Sequence, residues 1–197
     1  MLAPRVPVTI ELDTHLYREP RDCTSVTAVG RMLKAGTSIA VVTVDLCADG
    51  EPLGVGTASF MAAPDATLTL PASATNLSER YPRVRPRLAQ PFAERAGCER
   101  REPGVAVLSR TEGGMNSSNT INGGLIALVA EEAVLSAAPG TTLSSLAMRY
   151  LRPVRLGPAV GTAIVRGDVG HVEVRDAGSD DRLAVAATTR QFARAQE

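Results

Sequence analysis

Up to residue 62 the chain is a succession of β-branched and apolar runs broken by turn residues. The runs VTIEL, SVTAVGRMLKAG, TSIAVVTVDLCAD and LGVGTASFM are separated by turn signals at Asp22, Lys34-Ala35-Gly36 and Ala48-Asp49-Gly50. Strand, turn, strand at this spacing predicts an antiparallel meander with long strands. Residues 64–104 change character: rich in Pro, Arg, Ser and Ala, they read as a linker with one short helix near residues 91–96. Order then returns, with a strand over 105–110, a polar Gly/Ser/Asn loop over 111–122 and a helix over 123–138 that Pro139-Gly140 stops. TTLSSLAMRYLRP, PAVGTAIVRGDVG, HVEVRDAG and RLAVAATTRQFARA supply four more strands.

The helix carries the chemistry. Its sequence, GGLIALVAEEAVLSAA, leaves no continuous polar stripe, because Leu125, Ile126, Leu128, Val129, Val134 and Leu135 occupy nearly every side. A helix apolar all round is expected to be buried. A carboxylate inside it costs several kcal/mol, roughly, unless it is paired, hydrogen-bonded or protonated. Glu131 and Glu132 sit in the middle of this helix, and catalysis is one reason for such a placement. A turn toward solvent, or pairing with an arginine such as Arg152, is the other.

The strands repeat. THLYREP at 14–20 aligns with AMRYLRP at 147–153, sharing Tyr17/Tyr150 and Pro20/Pro153. AVGRMLKAG at 28–36 aligns with AVGTAIVRG at 159–167, and LGVGTASF at 53–60 with LAVAATTRQF at 183–192. Two copies of one fold follow, not a solenoid. The second has strand, loop, helix and four strands, whereas the first has the four strands alone. The expected domains are 1–64 (the partial repeat), 65–90 (linker) and 91–197 (the complete unit).

Composition narrows the classes. In 197 residues, 21 Lys plus Arg balance 21 Asp plus Glu, so no charge excess points to nucleic acid or an acidic membrane. No apolar run approaches the roughly 20 residues that span a bilayer, and the first residues, MLAPRVPVTIELD, do not read as a secretory signal. Cys23, Cys47 and Cys98 are scattered without a C-x-x-C pair, as expected of reduced thiols in a cytoplasmic protein. His15 and His171 stand alone, without the spacing of a metal site or a Ser-His-Asp triad, so neither metal nor cofactor is expected. GVGTAS at 54–59 lies inside a strand pattern and is no dinucleotide loop.

Three motifs, PFAERAGCERREPGVAVL, N-x5-N-G-G-x6-E and YLRP-x3-GP-x7-R-G, resemble those of the PaaI-like acyl-CoA thioesterases and their double-hotdog relatives. The resemblance covers residues 91–195 well and 7–62 in part. It implies an α+β hotdog fold, an antiparallel sheet wrapped round one long buried helix, here as one complete hotdog plus an N-terminal partial repeat without its helix. By the same resemblance Asn116 falls on the family's loop Asn, and Asn122 falls where many members have His. Gly123 falls on the glycine whose N–H polarises the thioester carbonyl, and Glu131 on the acid that serves as general base or nucleophile. Asn122 cannot titrate as His does, and Glu131 reaches further than Asp. Gly124 and Arg152 are candidate substrate contacts. The implied substrate is an acyl-CoA or other acyl thioester, and the implied assembly a homo-oligomer built through the hotdog helix or sheet.

Physics fits these roles. A Gly-Gly at a helix start offers free N–H groups and the positive end of the dipole to a developing oxyanion, and burial raises a carboxylate's pKa toward general-base work. Asn116 and Asn122 can equally cap loop and helix. Arg80, Arg83, Arg85 and Arg87 could meet coenzyme A phosphates or be a solvated linker face. Glu131 lies eight residues beyond Gly123, about 12 Å along a helix, so one helix cannot bring both to the same carbon. A facing helix is required, from another chain or from a segment upstream of Met1. A non-catalytic acyl-CoA-binding hotdog is the alternative to a hydrolase. A hydratase on the same fold is the third reading, although it usually needs a His-centred pair.

Overall fold

The computed structural model describes residues 5–67, 69 and 88–192. Arg80, Arg83, Arg85 and Arg87, and most of the expected linker, lie outside the described residues. Ten strands form one antiparallel sheet: β1 (Pro7–Leu16), β2 (Val26–Ala35), β3 (Ile39–Ala48), β4 (Glu51–Ala62), β5 (Cys98–Glu102), β6 (Val105–Leu108), β7 (Leu143–Tyr150), β8 (Ala159–Arg166), β9 (Val169–Asp176) and β10 (Arg182–Gln191). Their order across the sheet is β2-β3-β4-β1-β7-β10-β9-β8-β6-β5. Two helices accompany them, the short α1 (Phe92–Ala96) and the long α2 (Gly123–Ala137).

Local chemistry sets the turns. Between β3 and β4, Asp49 and Gly50 both take positive φ, 51° and 87°, the Asp-Gly pattern of a two-residue hairpin. The Asp49 carboxylate also accepts from the backbone and hydroxyl groups of Thr24 and Ser25. These bonds, the Thr24 hydroxyl foremost, hold its pKa well below the usual carboxylate range. Gly104, at φ 86°, closes the β5–β6 hairpin.

The order of strands mirrors itself about the β1–β7 pair. Moving outward, β1, β4, β3, β2 stand on one side and β7, β10, β9, β8 on the other. At that seam Leu12 opposes Met148, and Arg149 bridges Glu11 and Asp13 on the other face. The register agrees residue by residue in the middle of each half. Gly30 opposes Val44 and Val42 opposes Ala58, while Gly161 opposes Val174 and Val172 opposes Ala187. The tyrosines of the repeat do not correspond. Tyr150 ends β7 half-buried under α2, whereas Tyr17 lies past the end of β1 and is 63% exposed.

The main core lies under α2 in the second half, and the first half holds a small cluster of Ala40 and Ala62 against Phe60. Ala106, Val129, Ala130, Ala133, Val134, Met148, Ala159, Val172 and Val174 are fully enclosed. Gly161 lets the helix come close: a Cβ there would sit 2.8 Å from Val129 Cγ1 and 3.1 Å from the Val129 carbonyl oxygen. α2 packs on β5, β6, β8 and β9.

One segment corrects the sequence expectation. Residues 98–102, read as linker, form β5, an edge strand paired with β6. Its residues CERRE are mostly charged and exposed. A lone edge strand has only one neighbour and needs no apolar alternation, so the pattern that marks half-buried strands is missing.

Candidate active site

The loop before α2 is held by its own asparagines. The Asn116 side-chain oxygen accepts from Ser118 N–H at 2.9 Å and Thr120 N–H at 3.3 Å, and its backbone N–H donates to the Thr120 carbonyl. Asn119, with φ 57°, completes the turn. Asn122 is the N-cap of α2: its Oδ1 accepts from Gly124 N–H at 2.8 Å, and its carbonyl accepts from Leu125 and Ile126 N–H. Side-chain capping of this kind satisfies donors that the first helical turn leaves over. The Gly123 N–H has no acceptor among the described residues. Both asparagine oxygens are therefore engaged with backbone, and so is Gly124 N–H.

Tyr150 supports this end of the helix from below. Its hydroxyl donates to the Gly123 carbonyl at 2.8 Å, and its ring lies 3.5 Å from where a Gly123 Cβ would be. Burial pushes the phenol up to about 12, so it acts as a neutral donor. In the sequence Tyr150 marks the repeat and opens the YLRP motif at a strand end, and neither signal assigns it this supporting role.

The two acids diverge. Glu132 is buried and accepts from Arg100 Nε of β5 at 2.6 Å. Its partner is Arg100, not Arg152; misreading β5 as linker hid the pair. The same neighbourhood contains Cys98, whose thiol burial, then the Glu132 charge, pushes up to about 11. Glu131 is half-buried and has no hydrogen-bonding or ionic partner among the described residues. Burial raises its pKa, the neighbouring Glu132 adds to the rise, and Arg100 opposes it. An unpaired, partly buried carboxylate of this kind is a candidate for a functional group.

Helical geometry shows where Glu131 faces. Val134 packs toward Gly170 of β9, and Glu132 turns to β5 on the opposite flank. At about 100° per residue, Glu131 lies between them on the outer surface, nearer the β9 side. That side leads across β10 and β7 to the β1–β4 half. Gly123 and Glu131 remain about 12 Å apart along the one helix. Arg152 is exposed just beyond β7, bonded to the Ala184 carbonyl through its backbone N–H, and its side chain makes no ion pair with either glutamate. His15 and His171 lie on β1 and β9, and no cluster of His, Cys, Asp or Glu that could hold a metal ion occurs among the described residues. No helix among them is long and apolar enough to cross a membrane.

One buried carboxylate escaped sequence reading altogether. Asp176 accepts from the backbone N–H groups of Arg155, Leu156 and Gly157 at 2.8, 3.2 and 2.7 Å. It anchors the turn into β8, a structural task.

Solved structures give the fold its name. The chain is similar to a 12:0-ACP thioesterase from Umbellularia californica, at TM-score 0.64 and 15% identity over 97% of this chain and 76% of that one. It is similar to an acyl-ACP thioesterase from Bacteroides thetaiotaomicron, at TM-score 0.59 and 13% identity over 96% and 77%. A protein with hot dog fold from Alicyclobacillus acidocaldarius matches at TM-score 0.51 and 12% identity over 99% and 82%. The fold is a hotdog. No family model and no curated protein matches the chain. The hotdog sheet places the capped Asn-Gly-Gly helix start and the unpaired Glu131 on one buried helix.

Proposed function

We propose that the chain is an acyl-thioester hydrolase of the PaaI-like or double-hotdog kind, cleaving an acyl-CoA to free acid and CoA. The observation that carries this reading is Glu131, a half-buried, unpartnered carboxylate with a raised pKa, on the same helix as the unengaged Gly123 N–H. Thioesterases among its structural neighbours support it.

In this mechanism the Gly123 N–H, at the positive end of the helix, donates to the thioester oxygen as negative charge develops there. Glu131 accepts a proton from water as the water oxygen bonds to the carbonyl carbon. The C–S bond then breaks, and the proton passes to the leaving thiolate. Direct attack by the carboxylate, followed by hydrolysis of the anhydride, uses the same residue. Asn116 and Asn122 shape the loop that presents Gly123, their side-chain NH2 groups facing substrate or water. Gly124 and Arg152 contact the substrate beyond the reacting carbon. Because about 12 Å separate Gly123 from Glu131, each acts with a counterpart on a facing helix.

The reading includes the organisation it rests on: residues 1–64 as a partial hotdog repeat, 65–90 as a linker and 91–197 as a complete hotdog, working in the cytoplasm on a soluble thioester. One observation favours a non-catalytic acyl-CoA binder instead: Asn122 cannot titrate and its oxygen is spent on the helix cap. Hydrolysis assays with a panel of acyl-CoAs on wild type, Glu131→Ala and Glu131→Gln separate the two. The hydrolase reading expects turnover that both substitutions remove. Saturable acyl-CoA binding without turnover establishes the binder.

A further inference from the structure

We propose that Asp176 is a positioning residue for the Gly123 N–H, acting through the β7–β8 connection and Ile121. The proposal rests on the reading of Gly123 as the donor to a developing oxyanion.

The connection between β7 and β8 covers residues 151–158 and includes Pro153 and Pro158, which have no N–H to donate. The N–H groups of Arg155, Leu156 and Gly157 converge on a single carboxylate. Asp176 Oδ2 accepts from Arg155 at 2.8 Å and Leu156 at 3.2 Å, and its Oδ1 accepts from Gly157 at 2.7 Å. Asp176 is the last residue of β9 and is 3% exposed. Successive backbone N–H groups aimed at one point make a concave seat for an anion. A carboxylate buried in that seat needs all three bonds, and they in turn fix the shape of the connection.

The other side of this connection meets the loop before α2. Val154 is 2% exposed, and its carbonyl accepts from Ile121 N–H at 3.0 Å. Gly157, at φ 70°, fits between Ile121 and Arg110. A Cβ there would lie 3.6 Å from Ile121 Cδ1 and 3.1 Å from Arg110 Cβ. Arg110 in turn donates to Asn119 Oδ1 at 2.9 Å. Ile121 is buried and immediately precedes Asn122 and Gly123. Tyr150, where the same connection begins, holds the Gly123 carbonyl. The helix start is thus gripped twice, at the Ile121 N–H and at the Gly123 carbonyl, with the Gly123 N–H between the two points. A donor that serves a transition state must be held within about 0.5 Å of its productive place. Asp176 supplies that precision from a distance, by holding the element that does the gripping.

The test compares Asp176→Asn with wild type by steady-state hydrolysis of an acyl-CoA and by amide NMR spectra of the isotope-labelled full chain. Asparagine keeps the shape but offers one acceptor oxygen to three donors. The Ile121 and Gly123 amides should shift, and Ile121 should exchange faster with solvent. At the same time kcat should fall about tenfold or more with KM near its wild-type value. Thr43→Val is the control: it deletes the hydroxyl bond to the Gly56 carbonyl, 3.1 Å long, in the N-terminal half. It should lower stability without moving either amide or kcat. Unmoved Ile121 and Gly123 amides in Asp176→Asn overturn the proposal, as does an unchanged kcat. Equal shifts in Thr43→Val overturn it too, because general loosening then accounts for them. If Asp176→Asn does not fold, Ile121→Val decides. It removes the Cδ1 that meets Gly157, and the Arg155, Leu156 and Gly157 amides should shift in return; unmoved amides there contradict the coupling. A wild type without hydrolysis removes the hydrolase reading, and the amide shifts alone then decide whether Asp176 sets the helix start.

Discussion

The Tyr150 hydroxyl donates to the Gly123 carbonyl at 2.8 Å, tying the end of β7 to the first residue of the buried helix. Removing the hydroxyl in Tyr150→Phe keeps the ring packed and deletes one hydrogen bond, worth about 0.5–1.5 kcal/mol of stability. Denaturant unfolding should show that loss. If the bond also aims the Gly123 N–H, kcat should fall while KM stays near its wild-type value.

Glu132 and Arg100 form a pair with unequal exposure: the acid is buried and the guanidinium nearly half exposed. Arg100→Ala strands a buried carboxylate and should cost about 1.5–3 kcal/mol, below the value for a fully buried pair because solvent screens the arginine. The double variant Arg100→Ala/Glu132→Gln should recover part of it. Equal losses in the single and double variants, measured by urea unfolding, would contradict this account of the pair.

Glu131 makes stability depend on pH with a definite sign. Its folded pKa is raised, by burial first, so the folded state holds the proton more tightly than the unfolded chain. Relative to an unperturbed carboxyl, its destabilising effect is absent below the unfolded value near 4.5. It grows as pH rises through the folded pKa. Glu131→Gln should therefore be more stable than wild type near neutrality, with the gap closing toward pH 4. A Tm difference independent of pH would speak against a desolvated carboxylate.

The two glycines of the repeat should respond oppositely. Gly161→Ala forces a Cβ to 2.8 Å from Val129 Cγ1, an overpacking cost of about 1–3 kcal/mol. Gly30→Ala meets only ordinary van der Waals contacts, Val44 Cγ2 at 3.8 Å and the Thr43 carbonyl oxygen at 3.9 Å, and should be neutral or stabilising by roughly 0.5–1 kcal/mol, since alanine suits a strand better. Thermal unfolding of the two variants measures both.

Much of this was legible in the chain. The four N-terminal strands, the helix from Gly123 and the four strands after it follow from β-branched runs, turn residues such as Asp49-Gly50 and the Pro139-Gly140 stop, all local signals. β5 was not, because an exposed edge strand of charged residues carries no apolar period, and with it went the Arg100–Glu132 pair. The asparagines illustrate a different limit. Asn116 and Asn122 stand at the spacing that carries the family resemblance, but whether a side chain caps a backbone or faces a substrate depends on how the loop closes, which residue type alone does not decide. The repeat was visible as sequence, yet only strand register separates the corresponding glycines, Gly30 and Gly161, from the tyrosines that do not correspond.

The central claim is that Glu131 moves the proton in thioester hydrolysis, and the pH dependence of kcat/KM on an acyl-CoA tests it most directly. Wild type should show an acid limb with a midpoint above the ordinary carboxyl value near 4.5, since the base must be ionised and burial raises its pKa. Glu131→Gln should lose activity on the order of 10²- to 10⁴-fold and lose that limb. Wild-type rates and an unchanged limb in Glu131→Gln would contradict the account.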